Sequence, residues 1–161
     1  MKKIQIEKTT GADTRSAKGT VSKETLLSES HLHRAHVRKL MGSVADELIE
    51  KGERHDYTKI TLIDMFHDNF VQALSKRIEF KQHAWWREHL KERHHINDYM
   101  HPDTDLLDLI EMLADCVCAG RARTGEVWPI KIPDPKLHAM IQNTINKFMA
   151  AVEVRDERAG D

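Results

Sequence analysis

The sequence is poor in cysteine, in net charge and in long apolar runs, and each shortage removes a class of protein. Two cysteines in 161 residues exclude a disulfide scaffold and fit a reducing, cytoplasmic setting. Lys and Arg number 25 against 26 Asp and Glu, for a formal net charge of −1. That balance argues against a chain held to nucleic acid or acidic lipid by its own field. No stretch approaches the roughly 20 apolar residues that cross a bilayer, so no membrane partner is expected. The opening MKKIQIEKTTGADTR also lacks the apolar run of a signal peptide. No alternating strand pair, internal repeat or low-complexity tract stands out in the body of the chain. Histidine is in excess, with 11 residues unevenly spread.

Hydrophobic residues at 40% and charged residues at 32% supply one modest core, and the length suits one domain. Residues 1–21 read as an extended N-terminal arm with an edge strand near Lys3 to Lys8. Its lysines, with Arg15 and Lys23, leave nucleic-acid binding as a weaker rival reading, since they are sparse and interspersed with acids. Residues 22–155 read as an all-α bundle of about five helices, and 156–161 as a tail.

Ser28 or Ser30 is a candidate cap for a first helix reaching Lys51, with Gly52 as its stop. Leu32, His36, Leu40, Val44 and Leu48 recur every fourth residue, with Ala35, Met41, Ala45 and Ile49 widening the stripe. Further helices are expected at about 62–78 (Ile63, Phe66, Phe70, Val71, Leu74), 80–93, 104–119 with Gly120 as stop, and 136–154. Pro129, Pro133, Pro135 and Gly125 mark a loop before the last. That last helix is amphipathic and suits packing on a second copy, a homo-oligomer.

The chemistry-bearing residues are those that break the apolar pattern. His36 sits in the stripe meant for burial. Asp108, Glu111 and Asp115 fall within about 60° of one another on one helix, where three carboxylates repel unless solvated or bridged by a cation. His55-Asp56 and His94-His95 stand in the connections. Imidazoles mixed with carboxylates suit a divalent transition metal.

The series His36, His55-Asp56 and a later helical Asp resembles the HD-domain superfamily of metal-dependent phosphohydrolases. HDYTK at 55–59 resembles the HDxxK form of its HD-GYP branch. HHIND at 94–98 resembles that branch's paired-histidine segment, and EMLAD at 111–115 its acidic helix. A group of small phage and bacterial proteins shows a similar series. The likeness spans residues 31–121.

It implies a compact HD-type bundle holding one or two divalent ions (Mn, Fe, Co, Ni, Zn or Mg). His36, His55, Asp56 and Asp115 match the first metal's ligands, with Asp56 bridging to a second. His94 matches a second-metal ligand, with His89 or His83 as another; His95 and Glu111 are candidates for the second metal or the outer shell. Lys59 matches a lysine near the phosphate, and Arg121 and Arg123 are candidate contacts for further phosphates. The implied activity is hydrolysis of a phosphomonoester or phosphodiester, with a nucleotide or deoxynucleotide as substrate. HHIND lacks the glutamate and GYP that follow in HD-GYP proteins, so cyclic-dinucleotide recognition is not implied, and the HDxxED pattern linked to alarmone hydrolysis is absent.

Plainer readings exist for several residues. His36 also suits a core histidine. Asp108 suits a solvated or helix-start charge. Trp85 and Trp86 suit core or lid better than a base-stacking platform. His67-Asp68 lacks a following lysine and reads as surface, as do His31, His33, His101 and His138. Cys116 and Cys118 face different ways and read as small core residues. The competing functional class is a silent metal staple that holds together a helical interaction domain.

Overall fold

The computed structural model describes residues 1–9, 19–75, 78–127 and 129–155. The fold is mostly helical. In chain order it comprises strand β1 (Ile4–Glu7), helix α1 (Lys23–Arg54), the short helix α2 (Tyr57–Thr61), helix α3 (Ile63–Leu74), a 3-10 turn (Phe80–Gln82), helix α4 (Ala84–His89), helix α5 (Leu106–Arg123), helix α6 (Asp134–Ala151) and strand β2 (Val152–Arg155). Among the described residues, no helix is long and apolar enough to cross a membrane. The arm's residues 10–18 and the tail 156–161 lie outside the described residues.

The chain gathers into two compact units, Met1–Ile49 with Ile145–Asp161, and Glu50–Thr144. In the first, β1 and β2 pair in parallel, Ile4 opposite Val152 and Ile6 opposite Val154. The expected helix to Val154 thus ends at Ala151, where Val152, Glu153 and Val154 leave it for the strand; β-branched valines suit that exchange. The α1 stripe is narrower than the sequence suggests. His36 and Val44 are buried and Leu32, Leu40 and Leu48 half-buried, whereas Ala35, Met41, Ala45 and Ile49 are exposed. The helix also starts earlier than expected. Ser22 caps it, its Oγ accepting from the Thr25 N–H at 3.1 Å, while the Ser30 hydroxyl donates back to the Leu26 carbonyl inside the helix.

In the second unit the buried apolar centre is Ile96, Met112 and Met140, with Leu106, Leu109 and Leu137 packed against it. Asp105 opens α5 with a reciprocal capping box, accepting from the N–H groups of Leu107 and Asp108 while the Asp108 side chain accepts from its own N–H. The two expected stop glycines lie inside helices. Gly52 is tolerated in α1, at about 1 kcal/mol relative to Ala. Gly120 serves a close approach instead, since a Cβ there would collide with the Glu126 carbonyl oxygen.

The expected 62–78 helix is α3, which ends at Leu74 and is preceded by the short α2; residues 76 and 77 lie outside the described residues. Of its apolar face only Phe66 is half-buried, with Ile63, Phe70, Val71 and Leu74 exposed. Phe66 stacks on Trp85 at 4.2 Å. The expected 80–93 helix is a 3-10 turn followed by the short α4. The α6 residues Ile141, Ile145 and Met149 are exposed.

Candidate metal centre

His55 and Asp56 fall in the break between α1 and α2. Asp56 adopts φ 56°, ψ 26°, and is the one non-glycine residue with positive φ among those described. Asp tolerates this left-handed region better than most residues. His89 ends α4, and His94 and His95 follow in a series of tight turns. Glu111 and Asp115, one turn apart, come from α5.

These segments bring two sets of ligand atoms together. Asp56, His89, His94 and His95 form one, and His55, His94 and Asp115 the other, each with its atoms within 4.8 Å of one another. His94 belongs to both. Asp56 faces the groups with different oxygens. Its Oδ1 lies 3.5 Å from His89 Nε2 and 3.6 Å from His94 Nε2. Its Oδ2 lies 3.5 Å from His55 Nε2 and accepts from Lys59 Nζ. His55 Nε2 is 3.3 Å from Asp115 Oδ1, and the Nε2 atoms of His89 and His95 are 2.9 Å apart. Donors bonded to one ion at about 2.0–2.2 Å lie roughly 3–3.5 Å from each other, so these spacings suit a shared cation.

The Nδ1 atoms of His55, His89 and His94 face carboxylates. Glu111 Oε1 is 3.2 Å from His55 Nδ1 and 3.3 Å from His94 Nδ1. Glu92 Oε1 is 3.3 Å from His89 Nδ1 and accepts from both the N–H and the hydroxyl of Thr58. With its proton committed to Glu92, the Thr58 hydroxyl accepts from His89 Nδ1–H at 2.7 Å. Carboxylates behind Nδ1 fix the tautomer that leaves Nε2 with its lone pair, the usual support for a metal-binding histidine. Trp85, 1% exposed, stacks on His89 at 4.5 Å and 19° and donates Nε1 to the Thr58 carbonyl.

The charge states of the two carboxylates and of His95 fit a cation site, whereas at His55 a cation has to displace a favoured proton. Burial works to raise Glu92, but hydrogen bonds from His89 and Thr58 bring it down to about 2. Burial likewise opposes ionisation of Glu111, and hydrogen bonds from His55 and His94 hold it far below the usual carboxylate range. The hydrogen bond to Glu111 raises His55. Burial and the neighbouring His94 and His89 push His95 down to about 4, leaving a neutral imidazole at pH 7.

His94 supplies the sharpest test of fit. It is 2% exposed, its Nδ1 faces Glu111 at 3.3 Å, and among the described residues its buried Nε2 has no hydrogen-bond partner. A buried polar ring left so would cost stability, and a cation bound at Nε2 removes the deficit. The donor set of imidazoles and carboxylates fits a borderline transition ion better than magnesium.

The remaining sequence candidates fall elsewhere. His36, on α1, belongs to neither ligand group. Its Nε2 accepts from the Glu7 N–H at 3.2 Å, the role of a buried polar side chain holding a strand. His83 is buried ahead of α4, with Nε2 unpartnered among the described residues, and belongs to neither ligand group. Arg121 Nη1 donates to the Gly125 carbonyl at 2.5 Å, and Arg123 is exposed. Asp108, expected to be solvated or a helix-start charge, is a helix-start charge but fully buried. Sequence reasoning missed Glu92 and Thr58; Glu92 follows His89 by three residues, a spacing that puts both on one helical turn. No protein-family model matches the chain, and neither a curated protein nor a solved structure does.

Proposed function

We propose that this chain is a metal-dependent phosphohydrolase acting on a phosphomonoester or phosphodiester, with nucleotides as its substrate class. The observation that carries the reading is the convergence of His55, His89 and His94 through Nε2 on Asp56, with Asp115 beside His55. When bound, one or two divalent ions supply positive charge for the phosphoryl oxygens and lower the pKa of water into the neutral range.

The chain's own groups do the rest. His55, His89, His94 and His95 would hold the ion or ions as neutral ligands, and Asp56 and Asp115 would balance their charge. Glu92 and Glu111 keep the imidazoles oriented. Lys59, three residues after Asp56 and ion-paired with it, would hold a phosphate oxygen as a point charge.

A silent metal staple is the second reading, and it calls for a closed ligand shell. Side-chain exposure of 22% at Asp56 and 33% at Asp115 favours the open site of an enzyme.

The test is metal analysis of protein purified without chelator, followed by hydrolysis assays with Mn²⁺, Co²⁺, Ni²⁺ and Mg²⁺ on nucleotides and simple phosphoesters. Retained metal with turnover supports the enzyme. Retained metal with no turnover supports the staple, and absence of metal removes both.

A further inference from the structure

The adjacent residues Trp85 and Trp86 have opposite fates. Trp85 is sealed between Phe66 and His89. Trp86 is half-buried, its ring 5.7 Å from those of both His89 and His95 and tilted 58° to each. It therefore stands at the rim of the ligand cluster with indole surface left over. Lys81 Nζ sits 5.4 Å from the indole centroid and pairs with Asp98 at 3.1 Å. Lys81 and Asp98 are both exposed, so this face of the ring is reached from solvent.

We propose that Trp86 is the platform for a flat aromatic group of the substrate, so that the phosphoester taken at the cluster is a nucleotide rather than an aliphatic sugar phosphate. The inference rests on the phosphohydrolase reading and narrows it. A phosphate near Lys59 and the histidines leaves the rest of a nucleotide to extend past His95 toward Trp86. Stacking of a base on an aromatic side chain outweighs an exposed cation–π contact, so the base displaces Lys81 from the ring, and the ammonium stays near an anionic ligand. Stacking is tolerant of base identity, because every base has a π face, and predicts broad specificity among nucleotides.

Calorimetry on the Mn²⁺-loaded full chain tests this, using the non-hydrolysable phosphonate analogue of AMP and the corresponding phosphonate of ribose 5-phosphate. The wild type should bind the AMP analogue roughly ten- to a hundredfold more tightly. Trp86→Ala, with metal content unchanged, should bring the two ligands level, and Trp86→Phe should restore most of the difference. Equal binding of both ligands by the wild type overturns the platform and the nucleotide class with it but leaves the phosphohydrolase, whereas a preference that survives in Trp86→Ala overturns the platform alone. Binding of neither ligand by metal-loaded protein overturns the phosphohydrolase reading and the platform with it. The wild-type comparison stands whatever the folding of the alanine variant.

Discussion

Arg93 lies along the carboxylate of Asp108, its Nε 3.0 and 3.1 Å from the two oxygens and its Nη2 2.8 Å from Oδ2. Lys51 donates to Asp108 Oδ1 and, at 3.3 Å, to Glu111. A buried charge network therefore runs from the start of α5 to the carboxylate behind His55. Such a network adds little stability by its formation, because desolvation offsets the attraction, but removing one member leaves an uncompensated buried charge.

Arg93→Ala should accordingly destabilise the protein by about 3 kcal/mol, at the lower end of the 3–5 kcal/mol range for broken buried pairs, since Lys51 still neutralises Asp108. Urea denaturation at pH 7 measures it. A loss under about 1 kcal/mol would show that the fork contributes no more than a surface pair.

The same pair sets an acid dependence. Burial works to raise Asp108, but hydrogen bonds from Arg93 and Lys51 hold it below its ordinary value. A carboxylate with a depressed folded-state pKa binds fewer protons folded than unfolded. Its contribution is complete above the unfolded value of about 3.9 and is lost as pH falls through the folded one. Asp108→Asn should flatten the fall in stability below about pH 4, read from denaturation midpoints over a pH series; parallel curves for the two proteins would refute this.

Glu111→Gln should weaken metal binding by roughly ten- to a hundredfold with far-UV circular dichroism unchanged, measured by competition with a chromogenic chelator. Glu92→Gln should behave alike through His89. Unaltered affinity in both would mean that the Nδ1 contacts do not orient the ligands.

Asp56 combines a ligand oxygen with a left-handed backbone, and the two can be separated. Asp56→Ala and Asp56→Gly should both lose metal. The glycine variant should be more stable by about 1–2 kcal/mol, the cost of left-handed geometry for a residue with a Cβ. Loss of the Lys59 pair is common to both and cancels. Equal denaturation midpoints would place the backbone elsewhere.

His36 and His94 divide the resemblance from the tertiary arrangement. His94→Ala should abolish stoichiometric metal. His36→Ala should keep it and instead speed hydrogen exchange at the Glu7 amide, which loses its acceptor. Metal loss in His36→Ala with Glu7 exchange unmoved would reverse the assignment.

The all-helical class was written in the apolar spacing, and the His55-Asp56 break in residue order, because both are local properties of the chain. Asp115 and Glu111 were legible as one acidic face of α5, since a helix puts residues four apart on the same side. Tertiary structure decided the rest. An every-fourth-residue stripe marks His36 for burial but cannot say against what; in the fold its ring meets the strand β1 at Glu7. Which nitrogen of each imidazole faces a carboxylate, and the recruitment of Glu92 through Thr58 from thirty-four residues away, depend on how separate segments pack. Periodicity reports a preferred face, whereas a ligand shell requires atoms from several segments placed to within fractions of an ångström.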